Sequence, residues 1–299
     1  MSRVLVTGAN GFAGSYITVA LQEAGHEVYG LVKNAEPIAS TNVARTYQTD
    51  LSDFGELQRI VAQVRPERVI HLAAISHAAH GDVADIYMTN LLGSRNLLEA
   101  VACEAPGCGP ILLMSSANIY GNRVGGVIDE QVLPDPVNDY SVSKLGMEYL
   151  THIYADRLSF VIVRPFNYTG IGQSTDFIIP KIVQHVRERA KVIELGNLDV
   201  ARDFSDVRFV AQACLRLIDT PAAIGEKINL CSGRAYTLAE ILDITKKIAN
   251  HDFDVVINPQ FMRKNEIKSL WGSRQKLDSL IGAVENTPLE DTLRWMLSG

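Results

Sequence analysis

The sequence predicts an α/β protein: a doubly wound parallel sheet followed by a smaller C-terminal region. Three observations carry this reading. Short apolar runs alternate with helical patterns through the first half, a glycine-rich turn joins the first run to the first helix, and the rhythm weakens after Pro165. Val4 to Thr7 reads as the first strand, Gly14 to Ala24 as the helix after it, and His26 to Val32 as the second strand. Phe54 to Val64 has a helical pattern, Arg68 to Leu72 is a buried strand, Asp85 to Cys103 one long amphipathic helix, and Ile111 to Ser115 a further apolar strand. In such a sheet the strands run into turns at their C-terminal edge, where ligands bind.

Tyr140 to Tyr154 reads as a helix and Phe160 to Arg164 as a strand running into Pro165. Irregular loops follow from Gly170, then a helix at Ile178 to Glu188, the stretch Gly196 to Phe204, and a helix at Val207 to Ile218. A strand at Lys227 to Leu230 and helices at Leu238 to Ala249 and Leu289 to Met296 complete the pass. The boundary falls near residue 165, with segments after it crossing back.

At 299 residues the chain can bury a large core but not two large domains. Hydrophobic residues at 47% and charged residues at 21% match ordinary soluble usage, which argues against disorder and against a membrane protein. No run approaches the roughly 18 apolar residues of a membrane span, and no targeting region precedes the first strand, so the expected compartment is the reducing cytoplasm. A net charge of −6 without a basic block argues against nucleic acid as partner. Cys103, Cys108, Cys214 and Cys231 are scattered with no completing pair or His set, so free thiols are expected and no metal.

Thr7-Gly8-Ala9-Asn10-Gly11-Phe12-Ala13-Gly14 lies between a strand and a helix. Glycine is required where the backbone turns tightly, approaches a pyrophosphate and packs the helix on the strand, and the helix N-terminus then offers free N–H groups to phosphate. The expectation is a Rossmann-type dinucleotide site, with residues 1–165 as the dinucleotide-binding domain and 166–299 mainly binding substrate. The end of the second strand, Gly30-Leu31-Val32-Lys33-Asn34, has no carboxylate for a ribose 2′-hydroxyl, and Lys33 suits a 2′-phosphate. NADP(H) is therefore favoured over NAD, unless Lys33 is an ordinary surface lysine. Asp50-Leu51 either sits beside the adenine or simply precedes a helix.

Tyr140-Ser141-Val142-Ser143-Lys144 puts Tyr and Lys on one helical face. An ammonium there is expected to lower the phenol's pKa, making Tyr140 a proton donor and acceptor, and Ser116 at the end of the preceding strand can bond the same substrate oxygen.

Taken in order, these motifs with His71-Leu72-Ala73-Ala74, Asn90 in Asn90-Leu91-Leu92-Gly93, Ile119-Tyr120-Gly121 and Arg164-Pro165-Phe166-Asn167 resemble the extended short-chain dehydrogenase/reductase family of nucleotide-sugar epimerases, dehydratases and reductases. The resemblance implies hydride transfer at a sugar carbon, with Tyr140 as acid/base, Lys144 assisting it and holding the nicotinamide ribose, and Ser116 orienting the oxygen. It places cofactor contacts at Gly8, Asn10, Gly11, Phe12, Ala13, Gly14, Lys33, Asp50, Leu51, Leu72, Ala73, Ala74 and Asn90. A nucleotide-diphosphate sugar would meet Asn167, Gln173, Lys181, Arg202, Arg263 and Glu266, the arginines because a planar fork pairs phosphate bidentately; the alternative for each arginine is a surface ion pair. Dehydratases of this family carry an acidic pair after the hydroxyl, where this chain has Ala117-Asn118. The stretches Gly196 to Phe204, Asn229 to Gly233 and Arg164 to Gln173 are similar to bacterial reductases of GDP-linked 4-keto-6-deoxymannose, which implies NADPH-dependent C4 reduction. A 4-epimerase with tightly bound NAD is the alternative, and a non-enzymatic cofactor sensor would be expected to lack one of Ser116, Tyr140 and Lys144. Relatives pair two long helices per subunit, so a homodimer through Asp85 to Cys103 and Tyr140 to Tyr154 is expected, with Leu92, Leu97, Met147 and Leu150 serving either as that face or as core.

Overall fold

In the computed structural model, which describes residues 1–34, 43–75, 82–122, 126–261 and 268–299, the first apolar run is β1 (Arg3–Thr7). Its Val4, Leu5 and Val6 are all fully buried, the mark of a central parallel strand covered on both faces. The chain then forms α1 (Phe12–Glu23), β2 (Glu27–Val32), β3 (Arg45–Gln48), α2 (Phe54–Val64) and β4 (Arg68–His71). The helix expected from Asp85 to Cys103 is instead α3 (Val83–Tyr87) and α4 (Ser94–Glu104), joined by a π-helical turn, Met88–Gly93. An inserted residue of this kind shifts the helix face without breaking the apolar pattern, so periodicity cannot reveal it.

After β5 (Ile111–Met114) and β6 (Val127–Ile128) comes α5 (Asp139–Tyr154), started by a capping box in which the Asn138 side chain accepts from Ser141 N and Ser141 Oγ accepts from Asn138 N. β7 (Phe160–Pro165), β8 (Asn167–Thr169), α6 (Ile178–Arg187), β9 (Val192–Leu195) and β10 (Ala201–Asp206) follow. The chain ends with α7 (Val207–Ile218), β11 (Lys227–Leu230), β12 (Ala235–Thr237), α8 (Leu238–Ala249), β13 (Asp254–Ile257), β14 (Ser269–Gly272), α9 (Gln275–Ile281) and α10 (Leu289–Ser298). The stretch Gly196 to Phe204, to which the sequence assigns no element, thus includes the first part of the strand β10.

Among the described residues the main sheet has the order β11-β7-β5-β4-β1-β2-β3, with every pairing parallel. Strand order reverses between β1 and β4, which opens a crevice at their C-terminal ends. One face of the sheet packs on α1 and α7 through Ile17, Leu21, Val210 and Leu217, the other on α2, α4 and α5 through Ile60, Leu97, Val101 and Met147. β11 and α7, both beyond residue 165, therefore belong to this layer, while β6 from the first half pairs with β14. A second sheet runs β12-β10-β14-β6 with β8 on β10, and a separate core of Ile179, Ile182, Phe204 and Leu293 fills the C-terminal lobe. Leu97, Met147 and Leu150 are core, whereas Leu92 is 45% exposed, near Met88 on the same turn.

Candidate active site

Thr7 ends β1 and the chain turns at Gly8 with φ +68°, a conformation that glycine adopts without strain. A Cβ at Gly8 would lie 2.9 Å from Ala73 N, and one at Gly14 would lie 2.1 Å from the Gly8 carbonyl oxygen. Only glycine permits this approach of loop, helix and neighbouring strand. The first turn of α1 has no acidic side chain, so its positive end is not neutralised locally.

The loop is fastened from below. Thr7 Oγ1 accepts from Leu72 N and Ala73 N, both at 3.2 Å, and meets His71 Nδ1 at 2.7 Å; His71 Nε2 lies 2.8 Å from Ser94 Oγ. Ser94 donates its proton to the Asn90 carbonyl, so His71 donates from Nε2 and accepts the Thr7 hydroxyl at Nδ1. Burial, reinforced by the Lys144 charge, holds His71 neutral with its pKa down at about 3. Asn90, fully buried, accepts from Ile75 N and donates to Ile75 O and Ser143 Oγ, so its side chain braces the turn after β4 against α5.

Above the sheet's C-terminal edge lies a cavity of about 420 Å³. Gly8, Gly11, Phe12, Ala13 and Gly14 line one side with Leu72 and Ala74, and Ser116, Tyr140 and Lys144 another. Asn167 and Gln173 line it from the C-terminal lobe. Tyr140 projects from the first turn of α5, and Ser116 lies two residues after β5, where its Oγ accepts from Asn118 N at 3.2 Å and caps the short turn Ala117–Tyr120. Burial raises the Tyr140 phenol above its ordinary pKa, and a hydrogen bond from Ser116 opposes that rise. The expected lowering by Lys144 is therefore not what governs the phenol here. Lys144 points its ammonium at the Met114 carbonyl, 2.7 Å away, and burial depresses its own pKa to about 8 against the pull of Glu148.

The other residues fall into three groups. Asn10 Nδ2 donates to the Asn34 carbonyl at 3.2 Å, drawing the glycine loop to the end of β2. There Lys33 Nζ sits 2.9 Å from the Asp50 carboxylate, whose pKa is held down at about 2 by that hydrogen bond first of all. The sequence shows no carboxylate at this edge, but the fold brings one. Leu51 is buried in the core and Ala73 donates its N–H to Thr7.

On the lobe, Asn167 Nδ2 donates to the Asp203 carbonyl at 3.2 Å, and Gln173 accepts from Thr169 Oγ1 at 2.7 Å and donates to the Tyr168 carbonyl at 3.0 Å. Lys181 lies outside the cavity lining, donating to the Glu194 carbonyl at 3.0 Å over the ring of Phe261. Arg202 is half-buried with Nη1 on the Ala201 carbonyl, and Arg263 and Glu266 lie outside the described residues.

Sequence reasoning missed Tyr168, which stacks on Phe12 with centroids 5.8 Å apart and planes 10° from parallel, both rings lining the cavity. Its phenol is pushed up by burial and by the nearby Tyr140. A three-residue strand offers no period from which to read which way Tyr168 faces. Asp203 was also missed: its buried carboxylate accepts from Ser232 N, Gly233 N and Gly272 N. Among the described residues there is no cluster of three metal-ligating side chains, and no helix is long and apolar enough to cross a membrane.

Residues 4–231 match the model of the NAD dependent epimerase/dehydratase family. The chain is 32% identical to the GDP-6-deoxy-D-talose 4-dehydrogenase of Aggregatibacter actinomycetemcomitans over 94% of its length and 91% of the relative's. It is 31% identical to the GDP-6-deoxy-D-mannose reductase of Pseudomonas aeruginosa, with 99% and 96% covered. Two solved structures superpose over nearly the full length. One, from Burkholderia cenocepacia J2315 and provisionally described as an epimerase, is 48% identical with a TM-score of 0.92, covering 99% of this chain and 97% of that one. The other, RMD from Pseudomonas aeruginosa complexed with NADPH, is 30% identical with a TM-score of 0.86, covering 100% and 98%.

Proposed function

This chain belongs to the NAD dependent epimerase/dehydratase family, and from that membership we propose that it is an NADPH-dependent reductase of the C4 ketone of a nucleotide-linked 4-keto-6-deoxy sugar, taking GDP-4-keto-6-deoxy-D-mannose to GDP-D-rhamnose. The observation that carries the reading is the convergence of Ser116, Tyr140 and Lys144 on a cavity whose opposite side is the Gly8–Gly14 turn. The cradle suits a nicotinamide dinucleotide, because a Cβ would close it at Gly8 and Gly14 and the N-terminus of α1 faces it. Bound there, the cofactor supplies the hydride that reduces the ketone.

The chain's own residues do the rest. Tyr140 donates its phenolic proton to the oxygen that becomes the C4 hydroxyl, and the high phenol pKa keeps that proton in place until negative charge develops on the substrate. Ser116 donates to the same oxygen, and Lys144 sets a positive charge beneath it. Gly8, Asn10, Gly11, Phe12, Ala13, Gly14, Leu72, Ala73 and Ala74 form the cofactor's bed, and Lys33 meets the 2′-phosphate in competition with Asp50. Residues 1–165 hold the cofactor and 166–299 mainly the sugar nucleotide, through Asn167, Gln173, Lys181, Arg202, Arg263 and Glu266. Exposed Met88, Leu92, Tyr149 and Ile153 on the two helices form the face of a homodimer.

The two curated relatives support redox chemistry on a GDP-linked 6-deoxy sugar, and the dehydrogenase supports position 4. A 4-epimerase with NAD is the second reading, favoured by the description of the 48% identical structure and by the Asp50 carboxylate beside Lys33. The deciding experiment follows NADPH absorbance when the purified chain meets GDP-, dTDP- and UDP-linked 4-keto-6-deoxy sugars in parallel. Stoichiometric oxidation with the GDP sugar alone is expected, and NMR of the product fixes its C4 configuration. No oxidation with any of the three overturns the reductase and leaves the epimerase.

A further inference from the structure

Beneath the cavity lies a buried ion pair that the chemistry above does not use. Glu148 stands one turn after Lys144 on α5. Its Oε1 accepts from Ser115 Oγ at 2.6 Å and from Arg164 Nε at 2.9 Å, and its Oε2 accepts from Arg164 Nη2 at 2.7 Å. Arg164 Nη1 donates to the Tyr120 hydroxyl at 2.9 Å, and that hydroxyl donates to Asn229 Oδ1 at 2.7 Å. The side chains of Arg164 and Glu148 are 2% and 1% exposed.

Two features separate this arrangement from a structural rivet. A buried salt bridge is weak evidence for stability, because desolvating both charges cancels most of their attraction and apolar residues of similar shape hold a fold as well. And Lys144 and Glu148, neighbours on one helix face, grip consecutive residues of the chain: Lys144 the Met114 carbonyl, Glu148 the Ser115 hydroxyl, immediately before Ser116. Among the described residues, the polar and titratable groups that bear on Lys144 are Tyr140 and Glu148 from its own helix, neutral His71 from β4, the Met114 carbonyl from β5, and, through Glu148, Arg164 from β7. Glu148 is the one anion among them.

We propose that Glu148, locked by Arg164 and Ser115, is a positioning residue that keeps Lys144 cationic under the pocket and holds the Ser115-Ser116 strand end against α5. The proposal rests on the reading of Lys144 as the partner of Tyr140, yet it makes a claim that needs no substrate. Full-length protein labelled with ¹³C at lysine Cε reports the Lys144 titration by NMR, with Lys144→Met identifying the resonance. The wild-type midpoint is expected near 8. In Glu148→Gln it falls by about one unit or more, the effect of losing an adjacent opposite charge, and Glu148→Asp restores most of it. Should Glu148→Gln not fold, with Arg164 left unpaired, the double variant Glu148→Gln/Arg164→Met removes both charges, and its midpoint also falls. An unchanged midpoint in either folded variant overturns the proposal. In active enzyme the alkaline limb of the pH–rate profile moves down with the midpoint, a shift that mere loss of structure does not produce. A falling midpoint in a protein that oxidises NADPH with no 4-keto sugar sustains this inference and removes the reductase reading.

Discussion

The two sides of the cavity are built differently. The side formed by β1, β4, β5 and α5 consists of regular elements whose buried polar groups are satisfied: His71 between Thr7 and Ser94, Asn90 between Ile75 and Ser143, Lys144 on Met114. The side formed by residues 167–178 and Phe204 rests on the three-residue strand β8, the turns after it, and one residue of β10, with side chains such as the exposed Asn167. Positions that must be accurate to fractions of an ångström sit on the first, and those that must fit a particular sugar nucleotide sit on the second. A fold can thus keep one chemistry and change its substrate by altering loops alone.

The comparison can be broken at its strongest point by Tyr140→Phe. Turnover is expected to fall about 10³-fold, the range of a lost general acid, with the cofactor dissociation constant unchanged by fluorescence titration; full activity would show that the rigid side does not supply the proton. The next largest effect concerns stability against pH. His71 has a folded pKa of about 3 against an ordinary 6.5, so the unfolded chain binds more protons between those values and stability falls as pH drops through that window. Thermal denaturation should show about 2 kcal/mol lost between pH 6.5 and 5 from this group, a slope that His71→Gln flattens; equal slopes would mean that His71 keeps its ordinary pKa in the native state.

At the rim, Lys33→Glu is expected to weaken NADPH about tenfold more than NADH, and Asp50→Asn to tighten NADPH, as opposite charges meeting a 2′-phosphate require. Equal changes for both cofactors, measured calorimetrically, would make the pair a surface contact. The smallest effect is reserved for the adaptable side. Asn167→Ala should raise KM for the sugar nucleotide roughly fivefold, the loss of one hydrogen bond, while leaving cofactor affinity alone; a fall in kcat instead would erase the distinction between the two sides.

The same division explains what could be read from the sequence. Helix α5 was evident from its period, and Ser116, Tyr140 and Lys144 from their places at the ends of readable elements. The glycine turn was evident because glycine's role there is local. By contrast β8, β9, β12, β13 and β14 are three or four residues long and only partly buried, so they show neither alternation above chance nor the unbroken apolar run that marks the equally short β5. The Lys33–Asp50 and Glu148–Arg164 pairs join residues far apart in the chain, and no local spacing signals them. The π-turn at Met88–Gly93 kept the apolar pattern of a continuous helix, and the phenol's environment depended on how deeply Tyr140 lies.

The chain leaves the main sheet after β7, builds the first part of its lobe, and returns to lay β11 along β7's outer edge, Ile162 opposite Lys227 and Val163 opposite Ile228. During synthesis, then, β7 leaves the ribosome with an open, largely apolar margin that stays unpaired until residue 230 has emerged. The catalytic half cannot be finished first and the lobe added later. The sheet waits on the lobe, and a ribosome that stalls between these strands would release a template for aggregation in place of a working half-enzyme.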